Sequence, residues 1–337
     1  MTDVPVLNVD NLVTRFHNGA RSVTAVDHVS FSVMRGETLG LVGESGSGKS
    51  VTAMSILRLV AHPGKIEGGR VELNGVDVLP LSDEEIRDRR GTEYGMVFQN
   101  PMTALNPVFS VGWQMDEALR AHGHRNNSPA IEAALGRVGM PDPDRQARSF
   151  PHQMSGGMRQ RVVISMGLLN EPQLLIADEP TTALDVTIQA QVLDLMKRLT
   201  AERHAALLLI THNMGVIAKM CDRVAVMYAG EIVEEAPVTS IFGDSRHPYT
   251  RGLLRSIPDG SRPRQRIPML PGEPPDMSQL TSGCRFRPRC EFADDRCNAH
   301  PDLATVVPNH KTRCWKAQAN EPLVSASAAV AGGPNGR

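Results

Sequence analysis

Short apolar runs, separated by turns rich in glycine and proline, recur along most of the chain. Three of them, Thr38–Val42, Leu174–Asp178 and Ala206–Thr211, are apolar at nearly every position, as expected of strands buried on both faces of a parallel sheet. A long helical pattern separates the second run from the third, and this strand–helix–strand order predicts a parallel sheet with helical crossovers. The pattern therefore predicts an α/β fold.

Other segments add strands to this core. Residues 6–42 predict short strands, residues 68–75 a hairpin at a sheet edge, residues 94–98 a further strand and residues 223–236 a strand pair. Together with the buried runs they predict a parallel sheet core with further strands beside it.

Helix signals fill the middle of the chain. Ser82 and Glu85 form a capping box, which predicts the start of a short helix. From about residue 100 to 168 the pattern is helical and predicts a helical subdomain. Within it, Ser128-Pro129 is the predicted start of one helix, and Gly139 its end.

Length and composition suggest how these elements are organised. A chain of 337 residues can form one large domain and a smaller one, here expected at 1–250 and 251–318, the second irregular. Residues 319–337 predict a disordered tail. The net charge of −1 argues against nucleic acid as a partner. Without a long apolar run or a signal-like start, we expect a cytosolic protein.

A glycine-rich segment, Gly-Glu-Ser-Gly-Ser-Gly-Lys-Ser at 43–50, lies between the first buried strand and a helix predicted from Lys49 to about Val60. It fits the P-loop pattern G-x-x-x-x-G-K-[ST] in the strand–helix context that this motif requires. In such a loop, backbone N–H groups wrap phosphate oxygens, the lysine neutralises the β- and γ-phosphates, and the hydroxyl ligates Mg²⁺. The predicted nucleotide contacts are Gly43, Ser45, Gly46, Gly48, Lys49 and Ser50.

Two carboxylates end the second buried strand. Asp178 lies where a carboxylate beside a phosphate loop holds Mg²⁺ through water. Glu179 is then the candidate general base that polarises the water attacking the γ-phosphate. The sequence thus predicts a site that hydrolyses a nucleoside triphosphate, with Mg²⁺ held by Ser50 and Asp178.

A second phosphate-binding turn occurs at Ser155, Gly156 and Gly157, where a hydroxyl and bare N–H groups at a helix start suit a γ-phosphate. The run Ser-Gly-Gly-Met-Arg-Gln at 155–160 resembles the signature motif of ATP-binding cassette (ABC) proteins, and its position along the chain is that of the family. The resemblance implies a P-loop NTPase fold, with a RecA-like parallel sheet core, an antiparallel β subdomain and a helical subdomain. It also implies a head-to-tail dimer. Each ATP would lie between one subunit's P-loop and the signature turn of the other.

The same resemblance assigns further residues. Gln99 matches the Q-loop glutamine that contacts Mg²⁺ and water, and His212 matches the switch histidine that hydrogen-bonds the γ-phosphate. Asp185, in the run Thr-Ala-Leu-Asp, matches the D-loop that crosses the dimer interface. Phe16 is either the aromatic residue that stacks on adenine or a core residue. The implied catalytic residues are Glu179, His212 and Gln99.

Segments 98–107, 154–161 and 246–254 resemble the ATPases of oligopeptide and dipeptide importers. The resemblance implies an ATPase subunit that is peripheral on the cytoplasmic face of the inner membrane. Its implied partners are a second, different ATPase subunit, two membrane permease subunits and an extracytoplasmic solute-binding protein. Nickel and glutathione importers share much of the pattern, so the solute stays open.

Two other function classes fit less well. A soluble ABC ATPase acting on DNA or ribosomes usually has two cassettes or long coiled-coil insertions, and this sequence has neither. An iron–sulfur redox sensor with a vestigial cassette is disfavoured by the intact ATP motifs.

Four of the five cysteines, Cys284, Cys290, Cys297 and Cys314, crowd into the C-terminal part of the chain. In a reducing compartment such a cluster favours metal over disulfide, although the spacing is neither that of a zinc ribbon nor that of a bacterial ferredoxin. Arginine and lysine residues among them would offset thiolate charge. The C-terminal segments of dipeptide-importer ATPases resemble this one. The leading hypothesis is a [4Fe–4S] cluster, with Zn²⁺ and metal-free cysteines as the alternatives.

Overall fold

The computed structural model describes residues 4–19, 21–182, 184–257, 270–280 and 282–323. The strands are β1 (Leu7–Asn18), β2 (Arg21–Val33), β3 (Thr38–Val42), β4 (Gly64–Leu73), β5 (Val76–Asp77), β6 (Tyr94–Val97), β7 (Leu174–Asp178), β8 (Ala206–Thr211), β9 (Arg223–Tyr228), β10 (Glu231–Pro237), β11 (Ala304–Val307) and β12 (His310–Thr312). Short 3₁₀ turns occupy Pro151–Gln153, Arg287–Arg289 and Asp295–Asn298.

The helices are α1 (Lys49–Ile56), α2 (Asp83–Arg89), α3 (Pro101–Ala104), α4 (Val111–Arg120), α5 (Ser128–Arg137), α6 (Pro143–Arg148), α7 (Gly156–Gly167), α8 (Val186–Glu202), α9 (Met214–Met220), α10 (Val238–Asp244), α11 (Pro248–Arg255) and α12 (Trp315–Gln318). In the described ranges, none of them is long and apolar enough to cross a membrane.

The main sheet has eight strands in the order β11-β12-β10-β9-β3-β8-β7-β6. Strands β9, β3, β8, β7 and β6 run parallel, whereas β10, β12 and β11 continue the sheet by antiparallel pairing. The parallel strands must be joined by crossovers, and these carry the helices. The carboxyl ends of β3, β6, β7 and β8 therefore share one edge of the sheet.

The buried runs supply two cores at once, because successive side chains of a strand point to opposite faces. In β7, Leu174 and Ile176 join the core that lies towards the antiparallel sheet. Leu175 and Ala177 join the core beneath the helices between β6 and β7. The antiparallel sheet, in the order β2-β1-β4-β5, is the predicted β subdomain, and α3 to α7 form the helical region.

Several boundaries differ from the sequence prediction. Helix α1 ends at Ile56 rather than near residue 60, because Arg58 takes a left-handed φ of 50° that an α-helix does not accommodate. At α5 the capping position belongs to Asn127, and Ser128 is already helical. The capping box of Ser82 and Glu85 at α2 is present as predicted.

The segment after residue 270 is largely irregular, but it is not separate from the sheet. Its hairpin, β11 and β12, extends the main sheet because β12 pairs with β10. Most of the predicted tail, residues 324–337, lies outside the described residues. At its start, Glu321 forms an ion pair with Arg296 at 2.7 Å.

Candidate nucleotide-binding site

The P-loop leaves the carboxyl end of β3 and enters α1, with Gly48 as the N-cap at φ 105°. Glycine is required at the loop entry because a Cβ on Gly43 would collide with the carbonyl oxygen of Met227. Lys49 is buried, and its Nζ donates to the carbonyl oxygens of Gly43 at 2.8 Å and Glu44 at 2.9 Å. Burial lowers the pKa of Lys49. The ammonium group is thus held within the loop where phosphate would bind.

The candidate magnesium ligands are adjacent. Ser50 Oγ donates to Asp178 Oδ1 at 3.1 Å, which joins the start of α1 to the end of β7. Burial raises the pKa of Asp178, and the hydrogen bond from Ser50 partly offsets this effect. A hydroxyl and a carboxylate at this distance fit a hard cation such as Mg²⁺, which binds oxygen ligands. The other loop residues predicted to contact nucleotide, Ser45 and Gly46, are exposed beside them.

Glu179 lies at the centre of a hydrogen-bond network. Its Oε2 accepts from Gln99 Nε2 at 3.1 Å and from Thr182 Oγ1 at 3.0 Å, and its Oε1 lies 3.0 Å from His212 Nδ1. Burial raises the pKa of Glu179, but the hydrogen bonds from His212 and Thr182 outweigh it, and the net pKa is lowered. The carboxylate is therefore ionised at neutral pH, as a general base must be.

The backbone of Glu179 has a left-handed φ of 45°, which is uncommon for a residue other than glycine. This conformation turns the chain sharply after β7, and the Glu179 N–H donates to the Ile210 carbonyl oxygen at 2.9 Å. The side chain thereby reaches the residues that follow β6 and β8. Gln99 and His212, 80 and 33 residues away in sequence, meet it there.

The signature turn begins α7. Ser155 is its N-cap, with the hydroxyl accepting from the Met158 N–H at 3.3 Å, and Gly156 and Gly157 form the first helical turn. Ser155 and Gly156 are exposed. The buried face of α7 packs into the core shared with the helical region. The turn therefore presents its N–H groups and hydroxyl outward, where a second molecule can reach them.

Asp185 caps α8, with Oδ1 accepting from the N–H groups of Thr187 at 3.1 Å and Ile188 at 3.0 Å. Within this chain its carboxylate caps the helix, and its role at a dimer interface stays a prediction. The next residue, Val186, leaves 82% of its surface exposed. An apolar residue so exposed beside the D-loop suits a surface that another molecule covers.

Phe16, in β1, is half-buried, and its ring lies where any side chain on Gly64 would strike it. This contact is consistent with core packing, which is one of the two roles predicted for Phe16. Adenine stacking stays a prediction.

Three residues of the site were not predicted from the sequence. Thr182 belongs to the D-loop run but was not assigned to Glu179. Tyr249 and Arg289 contact the P-loop residue Glu44 from distant parts of the chain. Thr182 had a local signal, since it lies three positions after Glu179, whereas the other two had none.

The four C-terminal cysteines are free thiols, not disulfides. Burial raises the pKa of Cys284 to about 11 and that of Cys290 to about 12, and it also raises the pKa of Cys314. Within the described ranges, no group of three or more His, Cys, Asp or Glu side chains is arranged to hold a metal ion. The structure thus does not support the predicted iron–sulfur or zinc site at Cys284, Cys290, Cys297 and Cys314, because sequence crowding alone does not fix ligand geometry.

Two family models match the chain. Residues 26–182 match the model described as ABC transporter. Residues 233–297 match the model described as oligopeptide/dipeptide transporter, C-terminal region. The first match spans the P-loop, the signature turn and Glu179, and the second includes Arg289 and three of the clustered cysteines.

Curated relatives resemble almost the whole chain. A putative peptide import ATP-binding protein of Brucella melitensis is 49% identical over 334 residues, covering 94% of this chain and 99% of the relative. The dipeptide transport ATP-binding protein DppD of Escherichia coli is 44% identical over 313 residues, covering 92% and 96%.

Among solved structures, the dimeric post-hydrolysis state of the ATP-binding cassette MJ0796 bound to ADP and Pi is similar with a TM-score of 0.62 and 26% identity. The match covers 69% of this chain and 98% of that one. The chain belongs to the ABC transporter family, in the branch of ATP-binding subunits that carry the oligopeptide/dipeptide transporter C-terminal region.

Proposed function

We propose that this protein is the ATP-hydrolysing subunit of a membrane importer for di- and oligopeptides. The observation that carries the proposal is the network around Glu179, which holds an ionised carboxylate beside Lys49, Ser50 and Asp178. The names of the curated relatives, a peptide import and a dipeptide transport ATP-binding protein, support the peptide solute.

In the proposed reaction, the P-loop N–H groups and Lys49 bind the β- and γ-phosphates. Ser50 and Asp178 would hold Mg²⁺, which supplies charge neutralisation at the phosphate oxygens. Glu179 accepts a proton from the attacking water, and Gln99 and Thr182 fix the carboxylate through its Oε2 atom. His212, exposed next to the other carboxylate oxygen, is placed to donate to the γ-phosphate.

The exposed signature turn supports a head-to-tail ATPase dimer. Ser155 and Gly156 offer a hydroxyl and free N–H groups on the surface, and Val186 adds an exposed apolar contact beside the D-loop. In the proposed dimer the Ser155 hydroxyl and the free N–H groups face the γ-phosphate bound to the partner's P-loop. ATP then closes the dimer, and hydrolysis opens it. The resemblance to importer ATPases favours a partner that is a different chain.

A stretch of the chain with several exposed apolar residues supports docking on a membrane permease. They lie at the carboxyl end of β6, in α3, in the loop between α3 and α4, and in α4. Since soluble monomers rarely expose large apolar patches, this surface suits a protein partner. Its residues are Phe98, Met102, Val108, Phe109 and Trp113. Docked there, the subunit would be peripheral on the cytoplasmic face of the inner membrane, while a solute-binding protein acts on the other side.

The test replaces Glu179 by Gln in the assembled transporter. We expect ATP turnover to fall at least about 100-fold while MgATP binding persists, because only the proton acceptor is lost. Glu202→Gln, an equivalent change on an exposed carboxylate at the end of α8, is the control and should leave turnover unchanged. Unchanged turnover in Glu179→Gln would remove Glu179 as the base.

The solute is tested by uptake in a deletion strain complemented with this subunit and its partners. Dipeptides, longer peptides, nickel and glutathione are compared under the same conditions. We expect uptake of peptides only, and none with the Glu179→Gln variant. Uptake of nickel or glutathione without peptide uptake would overturn the peptide assignment and leave the ATPase assignment intact.

The [4Fe–4S] cluster stays a hypothesis of this proposal. It rests on the resemblance of the C-terminal segment to those of dipeptide-importer ATPases and on the proximity of the four unpaired cysteines, not on a ligand arrangement among the described residues. Purification without oxygen, followed by a visible spectrum and an iron assay, tests it. A colourless, iron-free protein with one zinc would favour Zn²⁺, and a metal-free protein would exclude both.

A further inference from the structure

A partly buried ion pair joins the P-loop to the C-terminal segment. Arg289 Nη1 lies 2.6 Å from Glu44 Oε2, and Arg289 Nη2 lies 3.0 Å from Glu44 Oε1. The two residues are 245 positions apart, and only 5% of the Arg289 side chain is exposed. Two-pronged pairs of this kind fix geometry as well as charge.

A second contact fixes the backbone of the same residue. The Glu44 N–H donates to Tyr249 Oη at 2.8 Å, and Tyr249 is fully buried in α11. The Glu44 carbonyl oxygen accepts from Lys49 Nζ. Every polar group of Glu44 therefore has a partner, and the partners of its carboxylate and its N–H come from the chain after β10.

Arg289 is itself rigidly placed. Its Nε donates to the Pro271 carbonyl oxygen at 2.8 Å, and its guanidinium lies 5.8 Å from the ring centroid of Tyr228 and 5.9 Å from that of Phe286. The ion pair with Glu44 raises the pKa of Arg289 above its ordinary value, so the guanidinium stays charged. Because these contacts fix the Arg289 side chain, Arg289 can fix the position of Glu44 in the P-loop.

The other side of the P-loop is held through the turn after β9. The Gly230 N–H donates to the Ser47 carbonyl oxygen at 2.9 Å, and Arg285 donates to the neighbouring Ala229 carbonyl oxygen. Arg285 also pairs with Asp27 in β2. The C-terminal segment thus contacts the loop directly at Glu44 and indirectly at Ser47.

This arrangement matters for a triphosphate. An unpaired Glu44 carboxylate would place a negative charge in the loop that binds phosphate, and the repulsion would weaken binding. The positive guanidinium of Arg289 offsets that negative charge in the ion pair. The Tyr249 hydroxyl holds the Glu44 peptide in one orientation, and with it the carbonyl oxygen that positions Lys49.

We propose that Arg289 and Tyr249 are positioning residues of the nucleotide site, through which the C-terminal segment and α11 set the affinity of the P-loop for MgATP. The proposal rests on the proposed ATP site. It assigns the C-terminal segment a role in nucleotide binding, whatever its cysteines hold.

The experiment measures MgATP binding to the full-length chain by calorimetry. We expect Arg289→Ala to weaken binding about tenfold, because Glu44 is left charged and mobile. In a Glu44→Gln background, where no charge needs neutralising, the same change should cost less than about twofold. Arg255→Ala is the matched control. It breaks the exposed pair with Glu291 between α11 and the C-terminal segment, and binding should not change.

Two further variants separate positioning from folding. Tyr249→Phe removes only the hydroxyl that accepts from Glu44, and we expect weaker MgATP binding with little change in melting temperature. Arg289→Lys keeps the charge without the two-pronged contact and should bind MgATP with intermediate affinity. If Arg289→Ala does not fold, these two variants decide the question.

The outcomes are distinct. Unchanged MgATP affinity in Arg289→Ala and Tyr249→Phe, with a lowered melting temperature, would show a purely structural role and overturn the proposal. Equal losses for Arg289→Ala in the wild-type and Glu44→Gln backgrounds would overturn the pairing argument. A wild-type chain that binds no MgATP would instead refute the proposed ATP site.

Discussion

His212 Nδ1 lies 3.0 Å from Glu179 Oε1, although the two residues are 33 positions apart. Only 13% of the Glu179 side chain is exposed, whereas His212 is 63% exposed. The histidine is thus the solvent-facing partner of a mostly buried carboxylate. It holds one oxygen of the carboxylate while Gln99 and Thr182 hold the other.

His212→Ala should change the pH dependence of ATP hydrolysis. Burial raises the pKa of Glu179, and the His212 hydrogen bond is the largest of the effects that lower it. Without His212 the pKa of Glu179 rises, so the base becomes protonated at a higher pH. We expect the acid limb of the turnover profile in the assembled transporter to move to higher pH.

The maximal rate of His212→Ala also falls, because a predicted contact to the γ-phosphate is lost, so the position of the limb is the informative readout. His124→Ala, a change at an exposed histidine, is the control and should keep the wild-type limb. If the acid limb of His212→Ala stays at the wild-type pH, His212 does not control the ionisation of Glu179.

Thr182→Val should slow hydrolysis without weakening nucleotide binding. The change removes the hydroxyl that donates to Glu179 Oε2 at 3.0 Å and keeps the shape of the side chain. We expect kcat to fall about fivefold at constant KM for ATP, since a misoriented base affects the chemical step. Thr181→Val is the neighbouring control. A raised KM with normal kcat would instead place Thr182 in ground-state binding.

Much of the nucleotide side of the molecule could be predicted from sequence because its signals are local. The apolar runs of β3, β7 and β8 indicated buried parallel strands, and the glycine-rich run between β3 and α1 indicated a phosphate loop. Asp178 and Glu179 followed from their position at a strand end. The end of α1 was misplaced because Leu57, Leu59 and Val60 continue the apolar pattern beyond the helix.

The C-terminal side could not be predicted in the same way. The pair Arg289–Glu44 and the pairing of β12 with β10 depend on long-range packing that leaves no periodic trace in sequence. Cysteine spacing likewise indicated a cluster without its geometry. Long-range contacts of single polar residues are therefore the part that only the structure supplies.

Gly95→Ala should strongly destabilise the fold. Gly95 is buried in β6, and a Cβ there would collide with the backbone carbonyl oxygen of Gly167 at the end of α7. Backbone cannot move aside as a flexible side chain does, so we expect a loss of about 3 kcal/mol in the free energy of unfolding.

Urea unfolding of the full-length chain measures the loss. Gly243→Ala is the control, because Gly243 is exposed in α10 and its Cβ would meet nothing within 4 Å. That change should stabilise the protein by up to about 1 kcal/mol through helix propensity. Similar stabilities of the two variants would contradict the close approach of β6 and α7.

His247 should make the protein less stable in mild acid. It is buried at the start of α11, where its Nδ1 accepts from the Tyr249 N–H at 3.1 Å and its backbone N–H donates to Glu234 Oε2 at 3.1 Å. Burial lowers its pKa to about 4, although the charges of Glu234 and Glu231 act in the opposite direction. The folded state therefore keeps this imidazole neutral well below its ordinary pKa of about 6.5.

The direction of this pH effect on stability follows from proton binding to His247. Between pH 6.5 and pH 4 the unfolded chain binds a proton at His247 that the folded chain does not, so the free energy of unfolding falls as the pH falls. The full effect is about 3 kcal/mol, reached near pH 4. His247→Asn keeps a side chain that caps α11 but cannot titrate, so its stability should depend less on pH across this range.

Urea midpoints measured at pH 7, 6 and 5 give the slope of stability against pH for the wild type and for His247→Asn. His124→Asn, a change at an exposed histidine, is the control and should keep the wild-type slope. The absolute stability of His247→Asn at pH 7 is not the test, because the smaller side chain changes packing as well. Parallel slopes for wild type and His247→Asn would mean that the folded protein accommodates the imidazolium, against the burial of His247 beneath α11 and the C-terminal hairpin.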